Sequence, residues 1–211
     1  RTAVPRRAGD DLKRSEEGTG RRLAAAVEAR DHETAEHIER VGDFSALVAE
    51  YLELEEAHCE LIRRSSTLHD VGKIGVPDEI LLKSGPLTAS ERRRMEKHAE
   101  LGERLLAHIP LLNKEGARVI RSHHERWDGN GYPDKLSEKS IPLGARIFAV
   151  VDALDAMTDK RPYREPVGWD EAVEEILRGR GGQFDPDVVD GFEACEPDLH
   201  RLHTKPVGIA A

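Results

Sequence analysis

The apolar positions of this chain recur mostly at helical spacing. Ile38, Val41, Phe44, Val48 and Tyr51 return every three or four residues, which predicts an amphipathic helix with one buried stripe. A second helix is expected from Glu55 to Leu68, delivering His69 and Asp70 at its end. The stretch from Val71 to Pro77 holds two glycines and a proline and predicts a loop, followed by one short helix from Asp78 to Leu82. Thr88 with Glu91 three residues on is capping-box spacing, and the helix it opens carries Met95, His98, Gly102 and Leu105 on one face. Another helix is expected from Lys114 to Glu125, then a Gly-rich loop from Asp128 to Pro142. Helical spacing returns with Ile147, Val151, Leu154 and Thr158, and two shorter helices are expected at Trp169 to Leu177 and Asp187 to Phe192.

No alternating strand and no internal repeat interrupts this pattern. The expected fold is therefore all-α, one domain over residues 31–195 with about seven helices. Residues 1–20 are polar and aperiodic, residues 21–30 are strongly helix-forming and read as a linker helix, and residues 196–211 read as a C-terminal tail.

Composition narrows the functional classes. A length of 211 residues suffices for one well-cored domain. A net charge of -9 argues against nucleic acid polymers and anionic lipid, which want a basic face. It leaves room for a small anionic substrate, because bound divalent cations invert the local sign. There is no apolar run long enough for membrane insertion. The two cysteines, Cys59 and Cys195, form neither a disulfide framework nor a CxxC site, which points to a reducing cytoplasm. The start at Arg1 rather than Met suggests a fragment of a longer protein.

Several residues could carry chemistry. Glu33 and His37, four apart at a helix start, can chelate one ion or form a solvated surface pair. His69 and Asp70 point about 100° apart, so they can reach neighbouring metals with Asp70 bridging. Lys73 is near enough to place an ammonium beside a bound phosphate. His98 lies on an apolar face, as a ligand or a hydrogen-bonded core residue, and His123-His124 is a second adjacent pair at a helix end. Asp152 lies in the run Ile147 to Leu154, where burial demands a metal or an arginine such as Arg146 or Arg161. Asp155 is placed to orient a ligand histidine. Imidazole and carboxylate without thiolate suits iron, manganese or zinc, and so many ligands imply two or three ions.

The stretches HDVGKIGVPDEIL, HHERWDGNGYP, IPLGARIFAVVDALDAMT, DKRPYRE and GGQFDP resemble the motifs of the HD-GYP family, a branch of the HD-domain phosphohydrolases. The resemblance implies an HD-type helical domain with a metal cluster in its core and hydrolysis of cyclic di-GMP to pGpG and often GMP. It implies metal ligands at His37, His69, Asp70, His98, His123, His124 and Asp152, with Glu33 as the extra carboxylate of trimetallic members. The expected metal is iron, with manganese as the alternative. By the same resemblance Lys73 and Asp70 are catalytic, and Tyr132, Arg161 and Arg164 bind substrate. The expected attack is in line, by water activated between two cations. The implied partners are cyclic di-GMP, an upstream sensor or receiver domain and, as an open alternative, a second copy of the chain. The alternatives are another cyclic or linear dinucleotide, such as cGAMP or pGpG, or a binding module without catalysis. One departure stands out: Lys135 and Glu138 occupy the loop after GYP, where glycines are usual.

Overall fold

The computed structural model describes residue 30 and residues 34–109, 112–159 and 165–204. Glu33, Arg161, Arg164 and all of the expected linker helix except Arg30 lie outside the described residues.

Helix α1 (Ala35–Tyr51) is opened by Thr34, whose hydroxyl accepts a hydrogen bond from the His37 backbone N–H, so His37 sits in the first turn. It buries Val41, Phe44, Val48 and Ala49. Helix α2 (Glu56–Thr67) ends one residue before Leu68, His69 and Asp70, and α3 (Asp78–Leu81) follows. The expected capping box forms at α4 (Ala89–Met95), with Thr88 and Glu91 bonded reciprocally. Next come α5 (Lys97–Leu106), α6 (Asn113–Ser122), α7 (Leu143–Thr158), α8 (Trp169–Arg178) and α9 (Pro186–Thr204). Among the described residues there is no named β-strand and no helix long and apolar enough to cross a membrane.

Helix α1 packs on α2, α7 and α9, while α6 bridges α2 to α5. The main core joins Val41, Phe44 and Val48 of α1 to Ile147, Phe148, Val150 and Leu154 of α7, with Ile176, Val188, Phe192 and Leu199 closing it. A second cluster, Ile38, Leu68, Val71, Leu106, Leu112 and Ile120, lies under the site-bearing turns. Cys59 and Cys195 are both buried free thiols.

The structure corrects several expectations. The Val71–Gly75 stretch is a 3-10 helix rather than a loop, because α5 packs directly upon it. A Cβ on Gly72 would come 1.9 Å from the His98 carbonyl oxygen and 2.6 Å from Gly102 N, so only glycine permits this approach. The helix expected from Thr88 onward is two, interrupted at Glu96. Its buried face uses Leu106, whereas Leu105 is exposed; Tyr51 is exposed likewise, bonding Asp198 through its hydroxyl at 2.7 Å. The helix expected to reach Glu125 ends at Ser122. The last helix does not stop at Phe192 but runs through Pro197 to Thr204, into the expected tail, because Cys195 and Leu199 are fully buried there. That burial outweighs the backbone bond lost to proline.

Candidate metal centre

Five separate segments converge on one place. Ligand atoms of Asp70, His98, His123 and His124 lie within 4.8 Å of one another, and so do those of His37, His69 and Asp152. The two groups abut where His69 Nε2 lies 3.0 Å from Asp70 Oδ2. Lys73 Nζ lies 2.6 Å from the same oxygen. The expected metal-ligand residues within the described segments are thus brought together.

Three rings are aimed by the carbonyl three residues earlier. His69 Nδ1–H donates to Ser66 O at 2.8 Å, His98 to Met95 O at 2.8 Å and His123 to Ile120 O at 2.6 Å. With Nδ1 as donor, each neutral ring presents the Nε2 lone pair, the tautomer a metal needs. His37 is held differently: its Nδ1–H donates to Asp155 Oδ2 at 2.5 Å, while Arg40 bonds both Asp155 and Asp159. Asp155 therefore orients a candidate ligand, as its spacing predicted. Asp152 is half-buried and faces the cavity rather than the apolar core, and Arg146, a partner considered for it, pairs with Asp185 instead. An α-helix places residues three apart on neighbouring but distinct lines, so Asp155 alone is enclosed.

Electrostatics match this assignment. Burial pushes the His98 and His123 imidazolium forms well out of favour, despite the opposing charge of Asp70, and holds His124 down to about 3. These rings are neutral near pH 7. Burial would raise Asp70, but the interactions led by the Lys73 ammonium outweigh it and keep the carboxyl well below its ordinary range. Asp155 behaves alike, with His37 and Arg40 outweighing burial.

The donor set fits divalent cations. His98 Nε2 and His123 Nε2 lie 3.2 Å apart although both rings donate through Nδ1, so two lone pairs face each other. Asp70 Oδ1 is buried and accepts no hydrogen bond among the described residues, 3.2 Å from His98 Nε2. Such a cluster of acceptors is costly without a cation.

A cavity of about 270 Å³ opens beside the cluster, lined by His123, His124, Asp152, Tyr132 and Arg92 among others. The Tyr132 ring lies 4.6 Å from that of His124. Its wall depends on residues to which the sequence analysis gave no individual role. Buried Glu125 accepts from the backbone N–H groups of Asp134 at 2.7 Å and Leu136 at 3.1 Å, tying the loop to the histidine pair. Arg121 grips Asp134 through two bonds, 2.6 and 2.7 Å, and reaches Glu103 as well. A Cβ on Gly131 would meet the backbone of His124, Glu125 and Arg126 at 2.5–2.6 Å, which explains glycine there. The GGQFDP run is the far support: Gln183 accepts from Arg126, Phe184 joins the core, and Asp185 binds Arg146 and the Asp187 N–H. The usable signal was adjacency, since Glu125 follows the histidine pair directly.

The comparisons with known proteins agree. A family model described as HD domain matches residues 21–188. A cyclic di-GMP phosphodiesterase of Thermotoga maritima is 44% identical over 180 residues, covering 84% of this chain and 49% of that protein. The cyclic di-GMP phosphodiesterase response regulator RpfG of Xanthomonas campestris is 42% identical over 194 residues, covering 92% and 51%. A crystal structure of a cyclic GMP-AMP specific phosphodiesterase of V. cholerae superposes with a TM-score of 0.63 at 20% identity, covering 87% of this chain and 50% of that one. The chain spans about half the length of the curated relatives it matches. The fold is that of an HD domain, and the chain belongs to that family. Within it, the HHERWDGNGYP run and these relatives place it in the HD-GYP branch.

Proposed function

We propose that this chain is a metal-dependent phosphodiesterase that cleaves cyclic di-GMP to pGpG, GMP or both. The observation that carries this reading is the junction of two ligand groups at His69 and Asp70, with Lys73 on the shared carboxylate and a cavity alongside. Asp70, His98, His123 and His124 would hold one cation, and His37, His69 and Asp152 a second. Bound cations would supply an acidified water and neutralise the phosphoryl oxygens. A third ion, with Glu33 as its ligand, rests on the family resemblance, as do iron as the metal and manganese as its alternative. The similarity to cyclic di-GMP phosphodiesterases at 42–44% identity supports the substrate.

The chain's own groups have separable tasks in this reading. The neutral imidazoles and Asp70 bind without carrying a proton of their own into the site. Lys73, held at Asp70, places an ammonium where the departing oxygen develops charge, stabilising or protonating it. Tyr132 forms the cavity wall over His124. Arg161 and Arg164, by resemblance, bind the phosphates or guanines. The proposed setting is cytoplasmic, downstream of a sensor or receiver domain, with a homodimer as the assembly to test.

Metal analysis of anaerobically purified protein, paired with product assays on cyclic di-GMP, cGAMP and pGpG, tests the reading. Three ions per chain, falling in Glu33→Ala, support the trimetallic form; two that ignore Glu33 refute it. Lys73→Ala with full metal and full turnover would remove the role given to Lys73. Full metal with no cleavage of any dinucleotide would favour a binding module.

A further inference from the structure

Arg92 lines the cavity from the α4 side, opposite in kind to the metal-ligand face of His123, His124 and Asp152. It belongs to none of the family motifs quoted above. Its side chain is 74% exposed, and its ion pair with Glu96 is long, 3.5 Å from Nε. The other guanidinium on this cavity among the described residues is committed: Arg126 gives Nε and Nη2 to Asp128 and Nη1 to Gln183.

A cyclic dinucleotide carries two phosphodiesters in one ring. When one lies at the ligand cluster, the other retains its negative charge and needs a donor that the cluster does not supply. A guanidinium is suited to this, because its planar fork can give two parallel bonds to one phosphate. We infer that Arg92 binds the second phosphate of a cyclic dinucleotide, the one that is not being cleaved. The inference rests on the phosphodiesterase reading above and extends it to a specificity residue on α4. Selection for two phosphates would then arise from the distance between the cluster and this helix, whatever the nucleobases.

Steady-state kinetics of the metal-loaded chain, its Arg92→Ala and its Arg92→Lys variants test this with two substrates. One is cyclic di-GMP; the other is bis(p-nitrophenyl) phosphate, a diester with a single phosphate. Arg92→Ala should raise KM for cyclic di-GMP about tenfold, as for one lost charge-assisted contact, with kcat held within about twofold. Hydrolysis of the single-phosphate diester should not change, and Arg92→Lys should recover part of the loss. An unaltered KM for cyclic di-GMP, or equal losses on both substrates, would overturn the inference. A wild type that cleaves the simple diester but not cyclic di-GMP refutes the substrate reading instead. Calorimetric binding of cyclic di-GMP and cGAMP then decides, and a wild-type-to-variant ratio below about threefold also overturns the role.

Discussion

His69, His98 and His123 are aimed by means quite unlike those that aim His37. The first three take their orientation from carbonyls at the ends of their own or preceding helices: Ser66 near the end of α2, Met95 closing α4, Ile120 near the end of α6. Helix C-termini have spare carbonyl acceptors. His37 stands in the first turn of α1, where the spare backbone groups are N–H donors rather than carbonyls. It depends on Asp155, 118 residues away, which is itself braced by Arg40. One mode of orientation is built by local chain geometry and resists side-chain substitution. The other is built by the packing of α1 on α7 and can be removed by one mutation.

The largest expected effect comes from a residue that touches both ligand groups. The Phe148 ring lies 4.6 Å from His69 and 5.6 Å from His123, and is 1% exposed in the main core. Phe148→Ala should cost about 3–5 kcal/mol of stability and weaken metal binding by both groups, read by denaturant unfolding and metal titration. A loss confined to stability would separate the core from the site. Next is Asp155→Ala, expected to weaken metal binding at the His37 group about 10- to 100-fold and to spare the His98–His123 group. Equal weakening of both groups would abolish the distinction drawn here.

Two smaller effects bear on the loops around the locally oriented histidines. Lys135 and Glu138 adopt left-handed backbone, with φ of 56° and 51°, so the loop keeps a glycine-like path without glycine. Lys135→Gly and Glu138→Gly should each raise stability by about 0.5–1 kcal/mol, the relieved strain exceeding the entropy cost of glycine. Chemical denaturation measures it, and destabilisation would show that these side chains contribute more than their backbone costs. The smallest effect is pH-dependent and lies in the α4 cap. Bonds from Lys83 and the Thr88 backbone and hydroxyl lower the exposed Glu91 carboxyl from 4.5 to about 2. Because the folded value is the lower, the stabilisation is complete above 4.5 and is lost as pH falls toward about 2. In Glu91→Gln this part of the acid dependence of Tm should vanish; an unchanged acid profile would remove the cap's role.

The legible part of the site was its inventory. His37, His69, Asp70, His98, His123, His124 and Asp152 could all be picked out on the chain, and most of the helices with them, because periodicity and cap chemistry are local. Legibility failed where tertiary contact decides a local choice. Gly72 against His98 turns an expected loop into a 3-10 helix, and the break at Glu96 separates α4 from α5. Helix α9 continues through Pro197 because its far turns are covered by the core. Spacing marked Asp155 as a brace for a ligand histidine and Asp152 as a ligand. Only packing decides that the braced histidine is His37, that Asp155 is enclosed and that Asp152 is half-buried at the cavity.

The sequence by itself therefore determined which chemistry is available: imidazoles and carboxylates without thiolate, a lysine beside them, and helices to carry them. The tertiary structure alone decided how they are shared. It divided the ligands into two abutting groups, gave Asp155 to His37, set Glu125 to hold the GYP loop, and turned Arg92 toward the cavity. The physical reason is range. Helix formation and capping are settled within a few residues, whereas a cluster of acceptors costs too much to assemble by local forces and is held together by the packing of distant helices.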